Sequence, residues 1–196
     1  MCNEQRRRVA LGQIREDWSQ TRIPLRFPEG LPNLAPLDSI RITDANAIIR
    51  ESSEAPGEAE LVVRRWSWPG PRGKPVYNFR SDGREFGRGR CLIVADGFYE
   101  FTAPVDPEKK RKDKWLFTLS GEPWFCIAGL WRAEPEVGEA YTMLTCPPGP
   151  DVAPYHDRQM CVLRRDDWPR WLDRSVPAAE LLQPLPAGSL EVEQVG

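Results

Sequence analysis

Cys2 has the most unusual chemical prospects in this chain, because of where it stands. When Met1 is lost, as is usual ahead of a small residue, Cys2 carries a free amine and a thiol on adjacent carbons. Such a 1,2-aminothiol condenses with an aldehyde to an imine and closes through sulfur to a five-membered thiazolidine, which no internal cysteine can do. The α-amine titrates near ~7.7–8.0, so a useful share is unprotonated at neutral pH, and a thiol near ~8.5 needs only modest help to ionise. The same amine could instead serve as base for the thiol in attack on an acyl carbonyl, which is amidase or peptidase chemistry. A cysteine without any role is the plainest alternative.

Three other positions bear on that choice. His156 is the only histidine, and so the only side chain whose unperturbed pKa lets it change charge near neutrality. Glu100 follows the apolar run Cys91–Ala95 and an Asp-Gly pair, between Tyr99 and Phe101. A carboxylate in such surroundings has its pKa raised and suits proton transfer, with a hydrogen-bonded structural role as the competing reading. Asn78 and Arg80 stand two apart, on one face of an extended segment, where an amide and a guanidinium reach one ligand.

These residues need elements to hold them. The chain has 196 residues, about one domain, with 20 prolines and 15 glycines that interrupt it too often for long helices. Short apolar or β-branched runs predict strands at 40–43, 47–49, 61–68, 91–95, 115–119, 124–130, 141–145 and 160–163; helices are expected near 15–21, 168–172 and 178–182. The polar run Glu108–Lys114 reads as an exposed hairpin loop. The expected class is mostly β (α+β), a single domain over 1–196 with an antiparallel β core or barrel and peripheral short helices.

Charge sharpens the functional reading. The formal net charge is −2, which excludes a protein that coats nucleic acid through bulk charge. Residues Arg64 to Arg90 nevertheless hold eight basic and two acidic side chains, interleaved with Trp66, Trp68, Tyr77 and Phe79. Cations for phosphates and flat faces for unstacked bases are what single-stranded nucleic acid requires, whereas a solvated loop paired with acids elsewhere is the structural alternative. Most of the eight tryptophans are expected in the core, Trp66 being the exception assigned to the site. The five cysteines are odd in number and without a C-x-x-C pair, so a disulfide framework and a zinc knuckle are both unsupported. No apolar run approaches a membrane span, and the expected location is cytoplasmic.

Several blocks together resemble the SRAP family, the SOS response-associated peptidase-like proteins that crosslink to abasic sites. They are Met1-Cys2, Asn33-Leu-Ala-Pro36, Arg65-Trp66, Asn78-Phe-Arg80-Ser81, Ala95-Asp-Gly-Phe-Tyr-Glu100, Ala128-Gly-Leu-Trp131, Thr142–Thr145 and His156-Asp-Arg158. The resemblance runs from residue 2 to about 172 and leaves a short acidic tail over 175–196. It implies that Cys2 forms a thiazolidine with the ring-opened abasic sugar, that Asn78 hydrogen-bonds in the pocket, and that Glu100 and His156 move protons. It further implies that Arg80 and Arg158 hold phosphates and that Trp66 lies near displaced bases.

The implied partner is single-stranded DNA containing abasic sites, bound by a monomer without metal, cofactor or membrane. The implied activity is crosslinking of a lyase type, with peptidase or autopeptidase activity. Departures from the family pattern are Asn3-Glu4 where Gly-Arg is usual, Phe101 where Trp is common, and a tail without the closing strand motif. An N-terminal-nucleophile cysteine peptidase or amidohydrolase and a non-catalytic single-strand binder remain as alternatives.

Overall fold

Runs such as Cys91–Ala95, apolar at every position, need burial on both faces, because successive strand residues point to opposite sides. The computed structural model, which describes every residue except Met1, Val105 and Pro107, provides both faces. Met1, whose loss the sequence reading expects, thus lies outside the described residues. In chain order the principal strands are β1 (Glu4–Arg7), β2 (Leu37–Arg41), β3 (Ala45–Glu51), β4 (Ala59–Trp66), β5 (Asn78–Arg80), β6 (Arg90–Ala95), β7 (Gly97–Thr102), β8 (Asp113–Leu119), β9 (Phe125–Glu134), β10 (Gly138–Cys146) and β11 (Leu190–Gln194). The helices are α1 (Leu11–Ser19), α2 (Asp167–Leu172) and α3 (Ala178–Leu181).

Strands β10, β9, β6, β3 and β4 are neighbours in that order, and Ala140 and Tyr141 of β10 pair in parallel with Arg65 and Trp66 of β4, which closes the ring into a barrel. A second sheet runs β11–β8–β7–β1–β2. Ile48, Val62, Ile93, Ile127 and Met143 join Cys2, Phe98 and Phe117 in one apolar cluster. Their chain neighbours Ile49, Leu61, Leu92, Ala128 and Leu144 join Trp18, Trp124, Trp168 and Trp171 in the other, under the helices. In α1, the buried residues Ile14, Asp17 and Trp18 recur at helical spacing, and Trp18 stacks on Trp168 with centroids 6.1 Å apart.

The mostly β class with short helices is as expected, but three segments differ. The run 61–68 breaks at Ser67, whose φ of 81° ends β4 and sends Trp68 and Pro69 to pair with Val76 and Pro75. The run 160–163 divides at Cys161 into two short pairings, with β10 and with β9. The acidic tail does contain a closing strand. In β11, Leu190 is buried and Val192 packs against the same apolar cluster, while Glu191 and Glu193 alternate with them along the edge of the sheet. Carboxylates on an edge strand keep it from pairing with other chains.

Candidate active site

Strand β1 carries Cys2 to its place. Its sequence, Glu-Gln-Arg-Arg, offers no apolar signal, yet it is an interior strand with Gln5 opposite Phe98 on β7 and Ile40 on β2. Polar side chains tolerate that position because each finds a partner. Gln5 donates to the Tyr141 hydroxyl at 2.8 Å, and Arg7 donates to Asn46 Oδ1 at 2.9 Å and to the carbonyls of Leu34 and Ala35. Asp96, in the β6–β7 turn, accepts from Arg6 Nε at 2.5 Å and from the backbone N–H groups of Arg8 and Val9. Asp96 and Arg7 therefore act as the clamp that sets the register of the chain's first residues.

Cys2 is fully buried. Its carbonyl accepts from Asn78 Nδ2 at 2.8 Å, its thiol donates to the Glu4 carbonyl at 3.0 Å, and its backbone N–H donates to the Glu100 carboxylate. Asn78 is brought there by the parallel pairing of β5 with β10, where it lies opposite Met143. Glu100 comes from β7, opposite Trp115 of β8. Residue 2 is thus held at both ends of its backbone, by an amide from one sheet and a carboxylate from the other.

Burial dominates the electrostatics. Desolvation raises the Glu100 carboxyl from the usual 4.5 to about 7, against opposing pulls from the N-terminal amine and, more weakly, from the Cys2 N–H. Burial, and then the nearby Glu100, push the Cys2 thiol far above its ordinary value, so little of it is ionised. His156 is held below its usual value, first by burial. Its Nδ1 accepts the Arg158 backbone N–H at 2.9 Å, which leaves the proton of the neutral ring on Nε2. Asp157 Oδ1 lies equally near Nδ1, and this pairing takes over when the ring is protonated.

Asn3, Glu100, Phe101, Lys112 and His156 line an open cleft of about 310 Å³ beside Cys2. A larger cavity, about 570 Å³, lies elsewhere, against the end of α2 and the turn at Gly57, and is lined by no cysteine or histidine.

Of the residues expected in the site, Cys2, Asn78, Glu100 and His156 come together. Arg80 is exposed on β5, two residues from Asn78. Trp66 and Arg158 do not fit their expected roles. Trp66 is fully buried and donates its Nε1–H to the Tyr77 carbonyl at 2.8 Å, so its faces are not open to a base. Arg158 is buried, with its guanidinium forked onto Asp82 at 3.0 and 2.6 Å and onto the Thr145 carbonyl at 2.7 Å. The basic segment divides in the same way. Arg64 pairs with Glu29 and Glu139, and Arg90 is buried against backbone carbonyls, whereas Arg72, Lys74, Arg80, Arg84 and Arg88 are exposed with no ion pair among the described residues.

Sequence reading missed Asn3, Phe101 and Lys112 in the cleft wall. It also missed the half-buried pair Trp115 and Tyr155, with ring centroids 4.7 Å apart, next to Glu100 and His156. Pairing the two strands that flank the 108–114 loop would have put Trp115 opposite Glu100.

A family model described as SOS response associated peptidase (SRAP) matches residues 72–196. Two curated relatives, each named abasic site processing protein YoqW, from Bacillus subtilis (strain 168) and Bacillus phage SPbeta, are 32% identical over 114 residues, covering 54% of this chain. The chain spans about half the length of these relatives, the match covering 50% of each. Among solved structures, a protein from Bacteroides thetaiotaomicron superposes with a TM-score of 0.73 at 16% identity, over 100% of this chain and 92% of that one. A protein from Bordetella bronchiseptica gives 0.68 at 22% identity over the whole of both chains. A phage-related protein from the same organism gives 0.70 at 19% identity, over 99% of this chain and 94% of that one. At these identities the likeness is one of fold. Among the described residues, no helix is long and apolar enough to cross a membrane.

Proposed function

The chain belongs to the SOS response associated peptidase (SRAP) family, and on that premise we propose that it recognises abasic sites in single-stranded DNA and captures them covalently through Cys2 once Met1 is lost. The observation that carries this reading is the hold on residue 2. The nitrogen that donates to Glu100 is the atom that becomes the free amine, and the adjacent carbonyl is fixed by Asn78. A carboxyl titrating at about 7 beside an amine of ordinary pKa ~8 exchanges a proton with it at little cost near neutral pH.

The amine attacks the aldehyde carbon of the ring-opened sugar, forming a C–N bond and passing a proton to Glu100. That proton is returned to the alkoxide oxygen to give the carbinolamine. Its hydroxyl takes a second proton from Glu100 or His156 and departs as water, and loss of the remaining N–H proton to the same base leaves an imine. The thiol adds through sulfur to the imine carbon and its proton goes to nitrogen, which closes the thiazolidine. In sum, aldehyde and aminothiol give the ring and one water. Burial of the thiol favours this order, amine first and sulfur second, over thiolate attack on an acyl group.

Incubation with a single-stranded oligonucleotide bearing one abasic site should give a denaturant-resistant adduct whose intact mass equals protein lacking Met1 plus strand minus water. An adduct of equal yield from Cys2→Ala, or from protein shown by mass to retain Met1, overturns the proposal.

A further inference from the structure

The β7–β8 hairpin carries cations that no part of the capture chemistry uses. In the run 109–114, Lys109 Nζ pairs with Asp113 at 2.5 Å, and Lys114 Nζ pairs with the buried Glu4 at 2.7 Å while lying 3.9 Å from the Tyr99 ring centroid. These contacts tie the loop to the sheet on either side of Lys110, Arg111 and Lys112. Those three are exposed and have no ion pair among the described residues. Lys112 also lines the cleft, and it is the one cation among the residues that do so, facing a wall that includes Glu100 and His156.

Taking the proposed function as its basis, we infer that Lys110, Arg111 and Lys112 form a phosphate-binding element, which holds the DNA backbone on the Glu100 side of the captured sugar. Of the other exposed cations near residue 2, Arg80 stands two residues from Asn78, whose amide holds the Cys2 carbonyl. Arg41 lines a neighbouring hollow with Asn3, Glu4 and Phe101, outside the cleft that holds Glu100 and His156. A strand crossing Cys2 has phosphates on both sides of the reacting sugar, and neither Arg80 nor Arg41 lines the cleft that holds Glu100 and His156. That cleft presents Glu100, with Asp157 exposed beside His156, and an approaching phosphate is repelled unless a cation intervenes. Lys112 is placed to intervene, with Lys110 and Arg111 continuing the charge along the strand. Glu4 does not compete for it, because Lys114 already neutralises Glu4.

The test measures binding apart from capture. A single-stranded oligonucleotide with a tetrahydrofuran abasic analogue lacks the aldehyde, and its affinity is followed by fluorescence anisotropy across a range of salt. Each phosphate contact contributes about 0.7 to the slope of log K against log salt. The triple variant Lys110→Ala, Arg111→Ala, Lys112→Ala is expected to lower that slope by about 2 and to weaken binding by about a hundredfold near 0.1 M salt. Lys112→Ala alone should lower the slope by about 0.7, a third of the triple variant's loss, and Lys112→Arg should leave it unchanged. Slope and affinity equal to the parent in the triple variant overturn the inference, as does an equal change from Arg22→Ala, which removes an exposed cation outside the cleft. The two readings fail separately. An aldehyde-bearing strand that forms no adduct sinks the capture proposal while a reduced slope still supports the hairpin assignment. An adduct with an unchanged slope does the reverse.

Discussion

Asp17 and Glu100 are carboxylates with nearly the same small solvent exposure, 5% and 1%, in two different regions of the molecule. Asp17 lies on α1 under the helices, and Glu100 on β7 beside Cys2. Desolvation pushes both toward the protonated form, but the outcomes are opposite. Asp17 accepts from Trp124 Nε1 at 2.6 Å, Gln13 Nε2 at 3.0 Å and Arg165 Nη1 at 2.6 Å, and these donors outweigh burial and hold it below the usual range. Glu100 remains at about 7. Exposed surface alone therefore does not set the ionisation of a buried acid; how deeply it lies and the donors arranged around it do. The carboxylate whose donors outweigh its burial serves the fold, and the one whose burial outweighs its donors is, on the proposed function, the one suited to move a proton.

The comparison breaks most visibly in the chemistry. Glu100→Gln should slow adduct formation on an abasic strand by about 10²–10⁴-fold, the usual worth of a positioned acid–base group, while Asp17→Asn, corrected for the fraction folded, keeps the parent rate. Equal losses in both variants, in a single-turnover time course, would erase the distinction. In stability the order inverts. Asp17→Ala leaves the Trp124 Nε1–H and one arm of Arg165 without their acceptor and should cost about 2–3 kcal/mol, read from the urea midpoint.

The smallest effect is the most diagnostic. Because the folded state raises the Glu100 pKa from 4.5 to about 7, the native form binds its proton more tightly than the unfolded chain does. That contribution is fully present below 4.5 and is lost as pH rises through 7, so ionised Glu100 destabilises the fold at pH 8. Glu100→Gln should therefore be more stable than the parent by about 1–3 kcal/mol at pH 8, an advantage that fades on acidification. A Tm difference independent of pH would mean that Glu100 is not strained by its surroundings.

Much of the barrel was legible from sequence because its strands are apolar on both faces, and runs such as 91–95 and 141–145 announce themselves by composition. The strands of the second sheet nearest the site were less so. β1 is polar throughout and is strand only because Tyr141, Asn46, Asp96 and two loop carbonyls receive its side chains, partners that tertiary structure alone supplies. The residues Cys2, Asn78, Glu100 and His156 could be picked by chemical type and by resemblance. Trp66 and Arg158 show where that reasoning stops. An aromatic and a cation beside functional residues look alike in sequence whether they face a ligand or brace the strand beneath it. The Tyr77 carbonyl and Asp82 decide the matter here. Lys112 was hidden for the opposite reason, since a lysine-rich loop reads as solvated surface until the hairpin's position over the cleft is known.

The interior position of β1 also governs when the site can exist during folding. Gln5 pairs with Ile40 on one side and Phe98 on the other, so the first residues of the chain dock only after its middle is in place. Contacts of such wide sequence separation form late, because the entropy of closing a long loop must be met before any pairing is gained. Until then Cys2 is unshielded, without the Glu100 carboxylate that accepts from its N–H or the Asn78 amide that donates to its carbonyl. On the proposed function, assembly of the capture site is in this way tied to completion of the fold, and a chain arrested before residue 98 carries Cys2 without the groups that would surround it.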